Sequence, residues 1–408
     1  MNDPRLFLPT ATAVERTSSR PWTNVALAYE VREIGSLAAL APMREAWRAL
    51  SADADDCPAN MTFEYCELAA AHALAEGEGV RVAMVFGDRT LLALWPVSIV
   101  RRRLMRVAKA LTCGSGEEYG GPLIKAGAGR AVYAAAVAAI RQVDADILEV
   151  PLVRHGSALQ KALDPLPQSW VLARVPARWR GLPGFSVMLR DVPRWEDFVS
   201  TLSKSLRSTL RYRHKRLEAR GHAEFGWCQT VTDATAVLNW LFDMKRAWAE
   251  RRSVHAAYLR GDRVRDFFIE LAHRTDLSTI PLVAFVKVEG VPVAASVNLV
   301  GSRTVEGLVA TYDEAFAECS VGVLLAEFLV KWSHANGRDF DFRPLYVDYK
   351  VSWANRRTWH ETHVIMLRGR GRLAEFSLLS GQLARAQRKC SQFAVRLVKT
   401  AIQRVRSK

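Results

Sequence analysis

The chain has 408 residues, half of them apolar and 24% charged, which is a globular composition and excludes large-scale disorder. That length exceeds one ordinary core and accommodates two domains. The net charge of +15 is concentrated in two places: residues 204–220 carry seven Lys or Arg against the single acid Glu218, and residues 385–408 carry eight against none. The remainder is close to neutral, whereas a nucleic-acid protein normally assembles its basic face from many elements. The six cysteines form no C-x-x-C pair and no ligand spacing with His, as expected of reduced, mostly buried thiols in a cytoplasmic protein. No apolar signal core opens the chain, and no apolar run approaches the roughly 18 residues of a membrane span.

Residues 1–24 read as a loose start. "VALAYEVREI" (25–34) predicts a strand and residues 37–52 a helix with Leu40, Met43, Trp47 and Leu50 on one face. A short helix is expected around "FEYCELAAAHAL". Residues 80–103 then form two apolar strand-like runs joined at Gly87-Asp88, a hairpin signal. "AVYAAAVAAI" (131–140) favours helix, and "ADILEVPLV" (145–153) a buried strand. Five prolines between 165 and 193 mark the expected domain boundary.

Beyond it, Trp195, Phe198, Val199, Leu202, Leu206, Leu210 and Leu217 keep helical spacing, with a break near Ser203 to Ser205 and Gly221 as a stop. A strand ("HAEFGWCQT") and two helices ("ATAVLNWLFDMKRAWAERR", "DRVRDFFIELAHR") follow. Next come a hairpin over 280–300 turning at Glu289-Gly290, a strand over 303–313, a helix over 321–337 and a strand over 339–342. Both halves share the order strand, helices, hairpin, helix, strand. The expected fold class is therefore α+β, two domains of similar build, each a mixed, mostly antiparallel sheet flanked by helices. The expected bounds are 1–24, 25–180, 181–372 and a basic amphipathic helix over 373–408.

No nucleophile triad, phosphate loop, dinucleotide fingerprint or zinc-protease motif is present, and the nine histidines are scattered. The informative segment is "ATYDEAFAECSVGVLLAEFLVKWSHANG". It passes from a strand through a short acidic loop into a helix opened by Ser320-Val321-Gly322. Glycine there lets helix N–H groups approach a phosphate, which the helix dipole favours; a plain Ser N-cap followed by a tolerated Gly is the other reading.

The order of these elements resembles the GNAT superfamily of acyltransferases. Within it, the chain resembles the CelD-type acetyltransferases, relatives of the Fem-type aminoacyl transferases, over roughly residues 195–367. Three motifs carry the likeness. The first is the basic helix with Lys204, Arg207, Leu210, Arg211, Arg216, Leu217, Glu218 and Gly221. The second is "YDEAFAECSVGVLL", where Val321 replaces a common Pro. The third is "GRDFDFRPLYVDYKVSW", where Asp341, Phe342, Tyr349 and Lys350 match and Leu345 stands in place of Gly.

The resemblance implies two tandem GNAT-like domains, the first degenerate. It also implies direct acyl transfer from acetyl-CoA, or another acyl-CoA, to an unidentified amine or hydroxyl acceptor, in polysaccharide or cell-envelope biosynthesis, with no metal. Residues near Leu308 and Ala310 would hold the pantetheine arm, and the Ser320, Val321, Gly322, Val323 and Leu324 backbone the pyrophosphate. Asp313 and Asp341 are candidates to take the acceptor's proton. Tyr312, Tyr349 and Lys350 are candidates to protonate the thiolate or steady the oxyanion. Lys204, Arg207 and Arg211 would line the cleft for an anion.

Two alternatives stand beside this reading: a Fem-like transferase using aminoacyl-tRNA, which is how nucleic acid would enter, and a non-enzymatic polyanion binder. The tail places Phe393, Leu397, Val398, Ile402 and Val405 on one helical face among cations. That suits an anionic membrane surface on the inner side, or a solvated basic helix packed on the body.

Overall fold

The computed structural model describes residues 26–384 apart from 56, 117 and 255. The loose start expected over 1–24, and the tail with Phe393 to Val405, lie outside the described residues.

In chain order, β1 (Leu27–Ile34), α1 (Arg44–Asp53), α2 (Phe63–Ala75), β2 (Gly79–Gly87), β3 (Thr90–Arg102), β4 (Met105–Ala110), the short β5 (Leu123–Ile124), α3 (Arg130–Ile140) and β6 (Ile147–Arg154) build the first half. Three short helices, α4 (Ala158–Leu163), α5 (Trp170–Arg174) and α6 (Ala177–Arg180), lead to β7 (Gly181–Val187). The second half begins with α7 (Trp195–Thr201), α8 (Lys204–Glu218), β8 (Ala223–Trp227), α9 (Val231–Arg251) and α10 (Arg263–Arg274). It continues with β9 (Val283–Val288), β10 (Val291–Val300), β11 (Thr304–Tyr312), α11 (Val321–Ala335), β12 (Asp339–Asp341), α12 (Asp348–Trp353) and β13 (Arg356–Met366).

The strands join in one mixed sheet, ordered β1-β2-β3-β4-β6-β13-β7-β12-β11-β10-β9-β8, with β5 on β3. Neighbours are antiparallel except β4 beside β6 and β11 beside β12. From either end the pairing repeats: four antiparallel strands, a parallel fifth, an antiparallel sixth. The sixth strands are exchanged. The first half is completed by β13 from the far end of the chain, the second by β7, and these two pair with each other. The α+β class and mostly antiparallel mixed sheet match the sequence expectation. The helices cover both faces, as period-two burial demands. On β9, Val283 and Phe285 face the core that holds α9 and α10, whereas Ala284, Val286 and Val288 face α8 and α11.

Local departures have local causes. Residues 37–43 form two 3-10 turns and α1 starts only at Arg44, because Pro42 cannot donate to a preceding helical turn. The first hairpin turns on Asp88-Arg89, one residue later than expected; both are left-handed (φ 48° and 67°), as a two-residue turn of type I′ requires. Glu289-Gly290 turns as expected (φ 50° and 79°). The proline-rich boundary conceals the central strand β7. Pro183 is tolerated because β12 meets β7 only at Ser186 and Val187, so the missing N–H breaks no ladder. Gly181 and Gly184 have no room for a Cβ: it would lie 2.4 Å from Trp359 and 2.5 Å from Thr358 on β13. The C-terminal half of the chain also supplies α12 and β13, which the sequence reading did not find.

Candidate active site

The parallel pair β11–β12 is joined over Thr304–Glu306 and Asp339–Asp341 alone. The remaining two thirds of β11, Gly307 onward, has β10 on one side and no strand on the other. Such an edge can hydrogen-bond an extended ligand as a strand would. At its far end Asp313 caps the 3-10 turn Glu314–Cys319 by accepting from the Ala315 N–H at 2.9 Å. Ser320 then turns left-handed (φ 50°), and its carbonyl takes the first helical bonds of α11 from Val323 and Leu324. By helix geometry the N–H groups of Val321 and Gly322 find no carbonyl within α11.

The side chains here are arranged to leave backbone exposed. Val321 and Leu324 are fully buried, Val323 is half-buried, and a Cβ on Gly322 would lie 3.4 Å from the ring of the exposed Tyr312. Leu308 is buried in the core beneath α9. Ala310 is exposed on the open strand, and its carbonyl accepts from the Lys245 ammonium at 2.8 Å.

Cations ring this end. Glu318 pairs with Arg216 and Arg220 of the α8 end, and Arg216 holds its carboxyl below the usual range. Glu314 pairs with Arg251 and Arg252 at the end of α9. Four arginines on two glutamates leave positive charge in excess at the start of α11. Of the expected anion residues, Lys204 and Arg207 lie nearer the start of α8, and Arg211 lies between them and Arg216. The run before and through α8 passes antiparallel to α11, with Trp195 near His334, His214 on Glu327 and Arg216 on Glu318. Lys204 is thus twelve residues, about 18 Å of helix, from Arg216. The basic border at the start of α11 belongs to Arg216 and Arg220, which the motif also contains.

His214 reports on this clamp. Its hydrogen bond to Glu327 at 2.7 Å raises its pKa above the ordinary value. Its contribution to stability is therefore complete below the unfolded pKa of about 6.5 and is lost as pH rises through the folded value. We expect Glu327→Gln to lower the urea midpoint clearly at pH 5.5 and much less at pH 8.5. Equal losses at both pH values would show that charge plays no part.

Where β11 and β12 meet, a buried charged cluster closes the cleft. Glu306 and Asp341 are register neighbours, 3% and 9% exposed. Arg343, just past β12, pairs with Glu306 through Nη1, donates its backbone N–H to Asp341 at 2.8 Å, and stacks 4.0 Å over the Tyr119 ring. Tyr119, from the loop between β5 and β4 of the first half, donates its hydroxyl to Asp341 at 2.6 Å. Burial and the Asp341 charge hold the Tyr119 phenol protonated well above its ordinary range. His360 of β13 lies against Tyr119, its Nδ1–H donating to the Leu152 carbonyl and Nε2 accepting from the Thr358 hydroxyl. Burial lowers its pKa, so the ring is neutral.

Asp341 thus sits at the apex of the cleft beside a phenol, and Asp313 at its mouth as a turn cap. Lys350 is buried with its ammonium on the carbonyls of Phe342 (2.6 Å) and Arg343 (3.4 Å). Tyr349 packs edge-on against Phe342, and burial pushes its pKa up to about 12. Leu345, in the place of the motif's glycine, is exposed beyond this loop. Sequence reasoning did not single out Glu306, Arg343, Tyr119 or Lys245. Glu306 is an acid inside an apolar strand and Arg343 a base directly after one, which is a usable signal; nothing local marks Tyr119.

Residues 204–351, which span α8 through the charged cluster to α12, match the family described as an acetyltransferase (GNAT) domain. That likeness reaches the domain type and not the narrower CelD-type branch. No curated protein sequence matches the chain. Similar solved structures include a conserved protein of unknown function from Bacteroides thetaiotaomicron, at 12% identity and TM-score 0.49, covering 83% of this chain and 100% of that one. FemX is similar at 10% identity and TM-score 0.48, covering 85% and 100%. L-PGS from Bacillus licheniformis is similar at 12% identity and TM-score 0.46, covering 87% and 99%.

Proposed function

We propose that this chain, whose residues 204–351 carry the GNAT acetyltransferase domain, transfers an acyl group from acyl-CoA to an amine or hydroxyl acceptor. An acetyl donor, an acceptor in polysaccharide or cell-envelope synthesis, and membership of the CelD-type branch are its finer terms. The observation that supports it most is the continuous track from the open β11 edge to the start of α11, where free N–H groups of Val321 and Gly322 meet surplus arginine charge. A diphosphate fits the helix start and an amide-bearing arm fits the edge, with Lys245 giving up the Ala310 carbonyl. The residues present therefore suit a coenzyme A thioester.

In the transfer, the acceptor's nitrogen or oxygen bonds the acyl carbon, the carbon–sulfur bond breaks, and the acceptor's proton is passed to the departing thiolate. The Tyr119–Asp341 pair stands nearest the apex, where that proton would leave the acceptor. Tyr312, beside Gly322, would wall the coenzyme in. Lys350 and Tyr349 would hold the loop that carries Arg343.

A second reading has its own support. Lys204, Arg207 and Arg211 have no carboxylate partner among the described residues and lie away from the helix start, on a face a tRNA backbone could follow. Thermal melting separates the two. Acetyl-CoA at 100 times its dissociation constant should stabilise the fold by about 2.7 kcal/mol. No shift with acetyl-CoA or longer acyl-CoAs, together with salt-sensitive tRNA binding lost in a Lys204→Glu/Arg207→Glu variant, would replace the coenzyme reading by the Fem-like one.

A further inference from the structure

After β13 the chain turns through a 3-10 turn (Gly369–Arg372) into a helix over 373–384, which carries apolar residues on two opposite faces. One face is docked. Ala374 is 3% exposed and Leu378 is half-buried in a small core with Val364 and Met366. Glu375, 5% exposed, accepts from the Ser169 hydroxyl and from the N–H groups of Trp170 and Val171, so its carboxylate caps α5. This anchoring fixes the helix's rotation. At 100° per residue, Leu373, Phe376, Leu379 and Leu383 then form a single stripe pointing away from the body. They are 41%, 74%, 41% and 62% exposed.

The groove at the start of this helix, next to Leu373 in the chain, is aromatic and basic. Trp170, on the α5 turn that Glu375 caps, is 50% exposed with the Arg174 guanidinium stacked 5.4 Å over it, and it lines one groove with Arg368 and Arg372. Arg370 and Arg372 are exposed and pair with no carboxylate among the described residues. Over residues 368–408 the sequence holds eleven Lys or Arg and one acid, the buried Glu375.

We infer that this helix face is a docking surface for an anionic lipid bilayer. Four large apolar side chains in a row exceed what a solvated helix carries by chance, and they mark a surface that something covers. A polyanion such as RNA would use the arginines and leave the leucines and Phe376 in water. A bilayer interface takes up both: aliphatic side chains below the headgroups, indole at their level, guanidinium groups on the lipid phosphates. The helix lies in the interface plane and does not cross it. No helix among the described residues is long and apolar enough to span a membrane.

The test uses the full chain and vesicles of equal parts phosphatidylglycerol and phosphatidylcholine. The protein should sediment with them, with tryptophan emission shifted to the blue, and bind pure phosphatidylcholine vesicles at least tenfold more weakly. Phe376→Ser/Leu383→Ser should weaken binding at least tenfold with an unchanged melting temperature, since both side chains lie in solvent. If that variant binds like the wild type and only added salt releases it, the basic tail alone is responsible and the proposal fails. It fails equally if the wild type ignores both vesicles, or if the variant's one change is a dimer becoming a monomer.

Discussion

Arg343→Ala is expected to lower the stability of the protein by about 3–5 kcal/mol, the usual cost of removing one partner from a buried ion pair. The side chains of Arg343 and Glu306 are 3% and 4% exposed, and the Asp341 carboxylate, which accepts from the Arg343 backbone N–H, adds a second negative charge nearby. Without the guanidinium, two carboxylates remain in a space that admits almost no water, and Tyr119 loses the cation stacked on its ring. Removing Glu306 as well should relieve much of the damage, because a buried pair replaced as a pair by apolar groups is often neutral. Glu306→Met/Arg343→Met is therefore expected to be more stable than Arg343→Ala alone. Urea unfolding at pH 7 measures both. A loss below about 1 kcal/mol for Arg343→Ala would mean that the cluster is wet and open, contrary to its burial.

The second large effect is on binding. Gly322→Asp is expected to weaken acyl-CoA binding at least 100-fold while leaving the melting temperature unchanged or slightly raised. An acid in the first turn of a helix interacts favourably with its dipole by about 0.3–1 kcal/mol. A Cβ at this position meets only the Tyr312 ring, at an ordinary 3.4 Å, so the fold accommodates the residue. The same carboxylate faces the place proposed for the diphosphate. Like charges about 4 Å apart at a protein surface repel by roughly 4 kcal/mol, more than the 2.8 kcal/mol that a 100-fold loss requires. Calorimetric titration with acetyl-CoA checks it. Unchanged affinity in a folded variant would remove the α11 start from the coenzyme site, whatever the protein's activity.

These two variants probe parts of the molecule that differed in how far sequence could reach them. The start of α11 was legible, because its signals are local: an apolar strand, a short acidic loop, then Ser-Val-Gly ahead of an apolar helix. The basic helix was legible as a helix, with a break near Ser203 that the structure resolves as its N-cap, but not in its orientation. Helical spacing says which residues share a face, and it says nothing about which end of α8 meets α11. That direction puts Arg216 and Arg220, and not Lys204, beside the start of α11.

What the sequence by itself determined was the α+β class and most of the longer local elements: β1 to β3, β6, β8 to β12, and the helices α1 to α3 and α7 to α11. Each rests on contacts within a few residues: the apolar run of β9, the Glu289-Gly290 turn, the helical spacing of the leucines in α8. The tertiary structure alone decided the exchange of β7 and β13, and with it the union of both halves in one sheet. Prolines disguised β7, and β13 is a strand whose partners lie some 170 and 210 residues back in the chain. The cluster at the cleft's apex was decided in the same way. Tyr119 and Asp341 are 222 residues apart, and no periodicity can announce a hydrogen bond that exists only once two half-sheets have closed on each other.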